Sequence, residues 1–146
     1  MVASKVVGRL LSLLLATILV LSIPWFNAMT SDFEIKGNLT DRHIHIVGSS
    51  GRYVVYTNST TNTRVVRTGY YASIFNTVYM FKLNSKKYAH AQASKHTDIL
   101  RELRTFYVIK IKYINENLYK LRGLPVDPRL GDVEAVVELE GSLGLF

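Results

Sequence analysis

From Leu10 to Phe26 the chain reads LLSLLLATILVLSIPWF, 17 residues without a charge, interrupted only by the small hydroxyl side chains of Ser12, Thr17 and Ser22. No other feature constrains the fold so tightly, because a run this apolar is stable only inside a core or inside lipid. As a helix rising about 1.5 Å per residue it spans about 26 Å, just short of a hydrocarbon layer of about 30 Å, and Val6 to Arg9 supply the remainder. Hydroxyls that bond back to the preceding turn are tolerated in lipid. Arg9 and Lys5 can extend toward headgroups while their stems remain apolar. Trp25 and Phe26, after a Pro24 expected to disrupt the helix, stand where an interfacial aromatic belt forms. The face carrying Leu10, Leu14, Ile18, Leu21 and Trp25 is the expected membrane anchor.

A cleaved secretory signal is the rival reading, with Met1 to Arg9 as the basic region and Leu10 to Ile23 as the apolar one. Its weak point is the cleavage site: Ala28 is the best small residue, but the bulky Phe26 lies two positions before it. A mitochondrial import sequence is a third reading, since the first 31 residues hold Lys5, Arg9 and several Ser but no acid. That segment is too continuously apolar for an amphipathic presequence, although it also suits an inner-membrane anchor. With Lys5 and Arg9 before the apolar run and Asp32 and Glu34 after it, the positive-inside rule places residues 29–146 outside the cytoplasm. The expected organisation is a basic tail over 1–9, a transmembrane signal-anchor over 10–28 and an outer domain over 29–146.

Beyond Thr30 the apolar pattern becomes alternating. Phe33 and Ile35, then His43 to Val47, predict two short strands broken at Gly37-Asn38 and closed by Gly48-Ser49-Ser50-Gly51. Arg52 to Thr57 and Thr63 to Thr68 flank an Asn/Ser/Thr connector and predict a hairpin. Tyr70 to Leu83 predicts one or two aromatic-rich strands. Ser85 to Thr105 reads differently: Ile99, Leu103 and Phe106 recur at helical spacing behind Ser94 or Thr97 as caps, predicting an amphipathic helix of about three turns. Tyr107 to Ile114 alternates strictly and predicts a strand, a β-branched run disfavouring a single helix from Ser85 to Leu121. Gly123, Pro125, Pro128 and Gly131 mark a loop, and Val133 to Leu139 is the last strand. The expected class is α+β, mainly β, a meander or sandwich-like domain with one amphipathic helix. The terminal Phe146 does not make this a lipid-embedded barrel, because the positions in phase with it include Glu138 and Glu140.

The net charge of +7 is unevenly spread. Residues 82–122 form a basic block that includes Lys86, Lys87, Arg101, Arg104, Lys110 and Lys112, an expected surface for anionic headgroups or an acidic partner. Residues 123–146 are acidic, with Glu134, Glu138 and Glu140 on the last strand. The simplest expectation pairs that strand beside the Lys110/Lys112 strand, where opposite charges contribute about 0.2–1 kcal/mol per pair. The alternative adds it to the edge of a neighbouring subunit, giving a filament or envelope component built by strand exchange.

Chemical motifs are sparse. With no Cys, disulfides, Cys-based metal sites and thiol nucleophiles are excluded. There is no G-x-S-x-G, H-E-x-x-H, P-loop or dinucleotide fingerprint. Ser49-Ser50 reads as a turn rather than a hydrolase nucleophile, which leaves a secreted or membrane-tethered hydrolase as the weakest alternative. His43 and His45 share one strand face and are weak metal candidates, with His90 or His96 as partners from the helical segment. Asn38-Leu39-Thr40 and Asn58-Ser59-Thr60 are sequons in predicted loops. The Lys82–Arg122 run matches a nucleic-acid-binding composition, but an outer location argues against it. No cofactor and no small-molecule substrate are indicated. The expectation is therefore a non-catalytic, single-pass structural or accessory subunit whose partners are the bilayer and other membrane-protein subunits, or copies of itself.

Overall fold

The computed structural model describes residues 2–39, 42–59, 63–88, 105–124 and 133–144. One helix, α1 (Val2–Met29), precedes eight strands: β1 (Asp32–Leu39), β2 (Arg42–Ser49), β3 (Arg52–Ser59), β4 (Arg64–Ile74), β5 (Thr77–Tyr88), β6 (Phe106–Asn115), β7 (Leu118–Leu124) and β8 (Val133–Ser142). Each strand pairs antiparallel with the next, and β8 returns to β1 from Asp32 opposite Ser142 to Gly37 opposite Val137. The β-rich expectation holds, but what the strands make is a closed barrel and not an open meander or a sandwich.

Alternation sends one set of side chains inward. Phe33, Ile35, Ile46, Tyr53, Tyr71, Val78, Met80, Ile111, Leu121, Val137 and Leu139 are buried there. Eight strands enclose just enough room for such side chains, and the void among Phe33, Ile46, Met80 and Ile111 is about 10 Å³, a single water's worth. The outer face carries Glu34, Lys36, His43, Lys110, Lys112, Arg122, Glu134, Glu138 and Glu140. At the midplane of a bilayer the lysines and Arg122 among them would each cost about 2–4 kcal/mol and the acids less, so this outer face does not suit a lipid-embedded barrel.

Several expectations change. Gly37-Asn38 does not break β1; Gly37 is paired on both sides and sits where a Cβ would lie 2.4 Å from Val137 Cγ1, so the missing side chain is what lets the strands approach. The helix begins at Val2 and so includes the basic residues, and Pro24 lies within it rather than ending it. Leu118 to Leu124, assigned no strand and with Gly123 read as marking a loop, is β7. Ser85 to Tyr88, read as the start of the helical segment, is the end of β5, and Phe106 opens β6; the remainder of that expected helix lies outside the described residues.

The two mouths of the barrel differ. At the mouth next to Met29 the connections are two-residue turns, Ser50-Gly51, Phe75-Asn76 and Glu116-Asn117, whose first residues all have positive φ (49°, 49° and 41°). This is the backbone twist that tight hairpins favour. The carbonyls of Gly51, Asn76 and Asn117 accept bonds from the N–H groups of Tyr71, Ile111 and Leu139, tying each turn to the following strand.

Candidate functional site: the helix–barrel junction and the surfaces beside it

Most of the apolar segment is exposed, and only its last turns, from Ser22 on, approach the barrel. Leu10, Leu14, Ile18 and Leu21 are 57–67% exposed, in a helix long and apolar enough to cross a membrane or to be a signal sequence. Its hydroxyls turn inward on the helix as expected: Ser12 donates to the Arg9 carbonyl (2.9 Å), Thr17 to Leu13 (2.8 Å) and Ser22 to Leu19 (2.7 Å).

The last turn behaves oppositely. Asn27 and Ala28 are almost fully buried, and Ala28 belongs to the same apolar cluster as Phe33 and Tyr71, so the helix end stops the near mouth of the barrel. The Asn27 amide nitrogen lies 3.1 Å from both the carbonyl and the hydroxyl of Ser73 and 3.4 Å from the Leu143 carbonyl, reaching β4 and the segment after β8 together. Ser73 Oγ also donates to the Leu143 carbonyl at 2.9 Å. A helix C-terminus leaves carbonyls without intrahelical partners. Here they find them: Thr30 Oγ1 donates to Asn27 (2.9 Å), Ser31 Oγ to Ala28 (2.7 Å), and the Tyr71 hydroxyl bonds Ser31 Oγ and reaches the Ala28 carbonyl. Burial holds the Tyr71 hydroxyl above its ordinary pKa, opposed by its bonds to Ser31 and Gly51. Gly144 closes the cluster with φ +124°, and a Cβ there would lie 2.2 Å from Asn27 Oδ1.

Beside the junction, α1 leans across β4. Ala72 points outward by alternation between Tyr71 and Ser73, yet it is 4% exposed. Trp25 stacks on Phe81 of β5 at 5.7 Å, Phe81 meets Phe106 of β6 at 4.8 Å, and Phe106 stacks on Tyr79 at 6.4 Å. The predicted aromatic belt is therefore continued by the barrel wall.

The charged residues sort onto two other faces. Lys110 stands opposite Arg122, and Lys112 opposite Lys120, on the outer face of β6 and β7. Like charges directly opposite each other are unfavourable; on the other side of β7, Lys120 meets Glu134 at 2.7 Å and Arg122 is in register with the same residue. The acidic strand does not lie beside the Lys110/Lys112 strand as expected: β7 intervenes, and β8 sits between β7 and β1. Its cations are accordingly Lys120 and Lys36, the latter 4.0 Å from Glu140. Both edges of β8 are paired, so strand exchange would have to give up one of those ladders. Lys86 and Lys87 lie near the far end of β5, away from Lys110, and Arg101 and Arg104 lie outside the described residues.

His43 and His45 do share the outer face of β2. His43 Nδ1 bonds Asn38 Oδ1, and His45 Nε2 is 2.6 Å from Glu34 Oε1, which also meets Lys36 Nζ at 3.0 Å. The Lys36 and His45 contacts hold the Glu34 carboxyl below its ordinary pKa. Among the described residues no three His, Asp or Glu side chains converge as a metal site; His90 and His96 lie outside them. Ser49-Ser50 is at the end of β2 and in its turn. The sequon asparagines are in strands, not loops: Asn38 ends β1, Asn58 is on β3, and both flank His43. Inside the barrel, Arg67 extends toward Thr57 (3.5 Å) and its buried Nε has no acceptor among the described residues. Burial pushes the Tyr53 hydroxyl up to about 12.

Sequence reasoning passed over Asn27, Ser31, Tyr71 and Ser73. A polar Asn directly after an apolar helix was their only signal, and it looks the same as any flank. No family model, no curated protein and no solved structure matches the chain.

Proposed function

We propose that the chain is a single-pass membrane protein that keeps its apolar helix, with the N-terminus cytoplasmic and the barrel outside, and acts as a non-catalytic structural or accessory subunit assembling with other proteins of a membrane complex. The observation that carries the reading is the burial of Asn27 and Ala28 within the barrel mouth. Signal cleavage after Ala28 would remove the residues that stop the mouth and leave Ser73 without its amide partner, whereas a retained helix uses them as a fixed mount. The filled interior supports a role on the outer surface rather than in ligand carriage. Lys5 and Arg9, on the N-terminal side of the apolar run, support the orientation.

Three measurements test this. Intact mass of the mature protein should include residues 1–28; a chain starting near Met29 or Asp32 refutes the anchor. Purification in mild detergent should recover a defined set of unlike partners, while long homopolymers or a lone hydrolytic monomer would refute the accessory role. In a glycosylating host, endoglycosidase should shift the mobility of the protein, and the shift should vanish in N38Q/N58Q.

A further inference from the structure

Phe75 is the least expected residue on the barrel. It opens the two-residue turn between β4 and β5 at φ +49°, a left-handed position that bulky side chains rarely adopt. The sister turns carry Ser-Gly and Glu-Asn there. Its ring is 72% exposed, the most exposed of the large apolar side chains among the described residues. The turn calls for this backbone, as at Ser50 and Glu116, but it does not call for an aromatic there, and an exposed ring that packing does not explain points to use of the side chain elsewhere.

Its position says where. Phe75 lies two residues from Ser73, which holds Asn27, on the turn joining the two strands that α1 touches, through Ser73 on β4 and Phe81 on β5. The turn therefore sits beside the end of the apolar helix. On its other side Asn76 accepts the Ile111 N–H, and Lys110 pairs with Thr77, which brings the cations of β6 alongside. An exposed aromatic at a tip, near the end of a helix that on the proposed reading enters a membrane and with lysines on one side, suits partition into a lipid interface with phosphate headgroups beside it.

We infer that the Phe75 turn inserts into the headgroup–acyl boundary of the bilayer that α1 enters, with Lys110 and Lys112 toward the phosphates. The barrel then contacts the membrane at a second point and holds one orientation. This rests on the retained-helix reading, and the test separates the two.

Trp25 is the only tryptophan and there is no cysteine. Wild type and W25F/F75W are reconstituted as full chains in phosphatidylcholine vesicles with and without brominated acyl chains, with near-UV circular dichroism as the fold check. Trp25 should be strongly quenched, and the indole at position 75 should show at least half that quenching and a blue-shifted emission. Quenching of Trp25 with none at position 75 overturns the insertion and leaves the anchor standing. If Trp25 is also unquenched, both fall. F75C carrying a nitroxide repeats the test should the double variant misfold: collision with oxygen dissolved in the acyl region supports insertion. Spin–spin broadening at high lipid excess would assign the turn to a second copy and overturn it.

Discussion

Replacing Asn27 by Ala isolates the junction. The substitution suits a helix and removes no apolar contact, so its effect is that of the amide. Two amide hydrogens serve three acceptors, the Ser73 carbonyl and hydroxyl at 3.1 Å and the Leu143 carbonyl at 3.4 Å. Two bonds at about 1 kcal/mol each, plus about 1 kcal/mol for a Ser73 carbonyl left buried without that donor, give a loss of about 3 kcal/mol. The Leu143 carbonyl keeps its bond from Ser73 Oγ and adds little. For a domain of this size about 1 kcal/mol corresponds to about 4 °C, so the melting temperature in mild detergent should fall by about 12 °C. F26A, one residue away and exposed, is the control and should shift it by about 2 °C or less. Limited chymotrypsin digestion should cut N27A, and not F26A, between Met29 and Phe33 under native conditions. A melting shift for N27A no larger than the control's would show that the helix merely lies near the barrel, and the mount would have to be abandoned.

Other expectations follow from single residues. G69A should fail to fold, since its Cβ would lie 1.9 Å from the Phe81 carbonyl oxygen at the β4–β5 bulge, which soluble yield and far-UV dichroism read directly. R67M should be neutral or stabilise by about 1 kcal/mol, because it removes a buried Nε that has no acceptor among the described residues; a clear loss of stability in a denaturant titration would contradict this. Tyr53 ionises near pH 10 when unfolded and near 12 when folded, so the fold holds its proton more tightly. That contribution, about 3 kcal/mol, is complete below pH 10 and is lost as pH rises toward 12, and Y53F should abolish that part of the alkaline limb. Glu34 runs the other way: its lowered pKa favours folding above the ordinary carboxylate range and fades as pH falls through its folded value. E34Q should therefore flatten the acid limb of the stability profile.

The local elements were largely legible, because the period of the apolar residues is a local property. Leu10–Phe26 announced a helix and Tyr107–Ile114 a strand on that ground alone. What failed was punctuation. Gly37 and Gly123 were taken as breaks, although inside a small barrel a glycine marks a crowded inward position as readily as a turn. Losing Leu118–Leu124 cost the intervening strand and so placed the acids of β8 beside the wrong lysines. Closure itself could not be read, since the pairing of Asp32 with Ser142 joins the two ends of the domain and leaves no trace in either strand's own pattern. The junction was equally silent: Asn27, Tyr71, Ser73 and Leu143 become one cluster only after the barrel has closed. Phe75 was visible as an aromatic, but its exposure and its left-handed backbone belong to the turn.

The three described turns at the mouth next to the helix are as short as hairpin connections can be, and they share that rim with the helix end. An insertion in any of the three would displace the rim that Asn27 and Ala28 seal, so the footing of the helix would be lost before the barrel itself came apart.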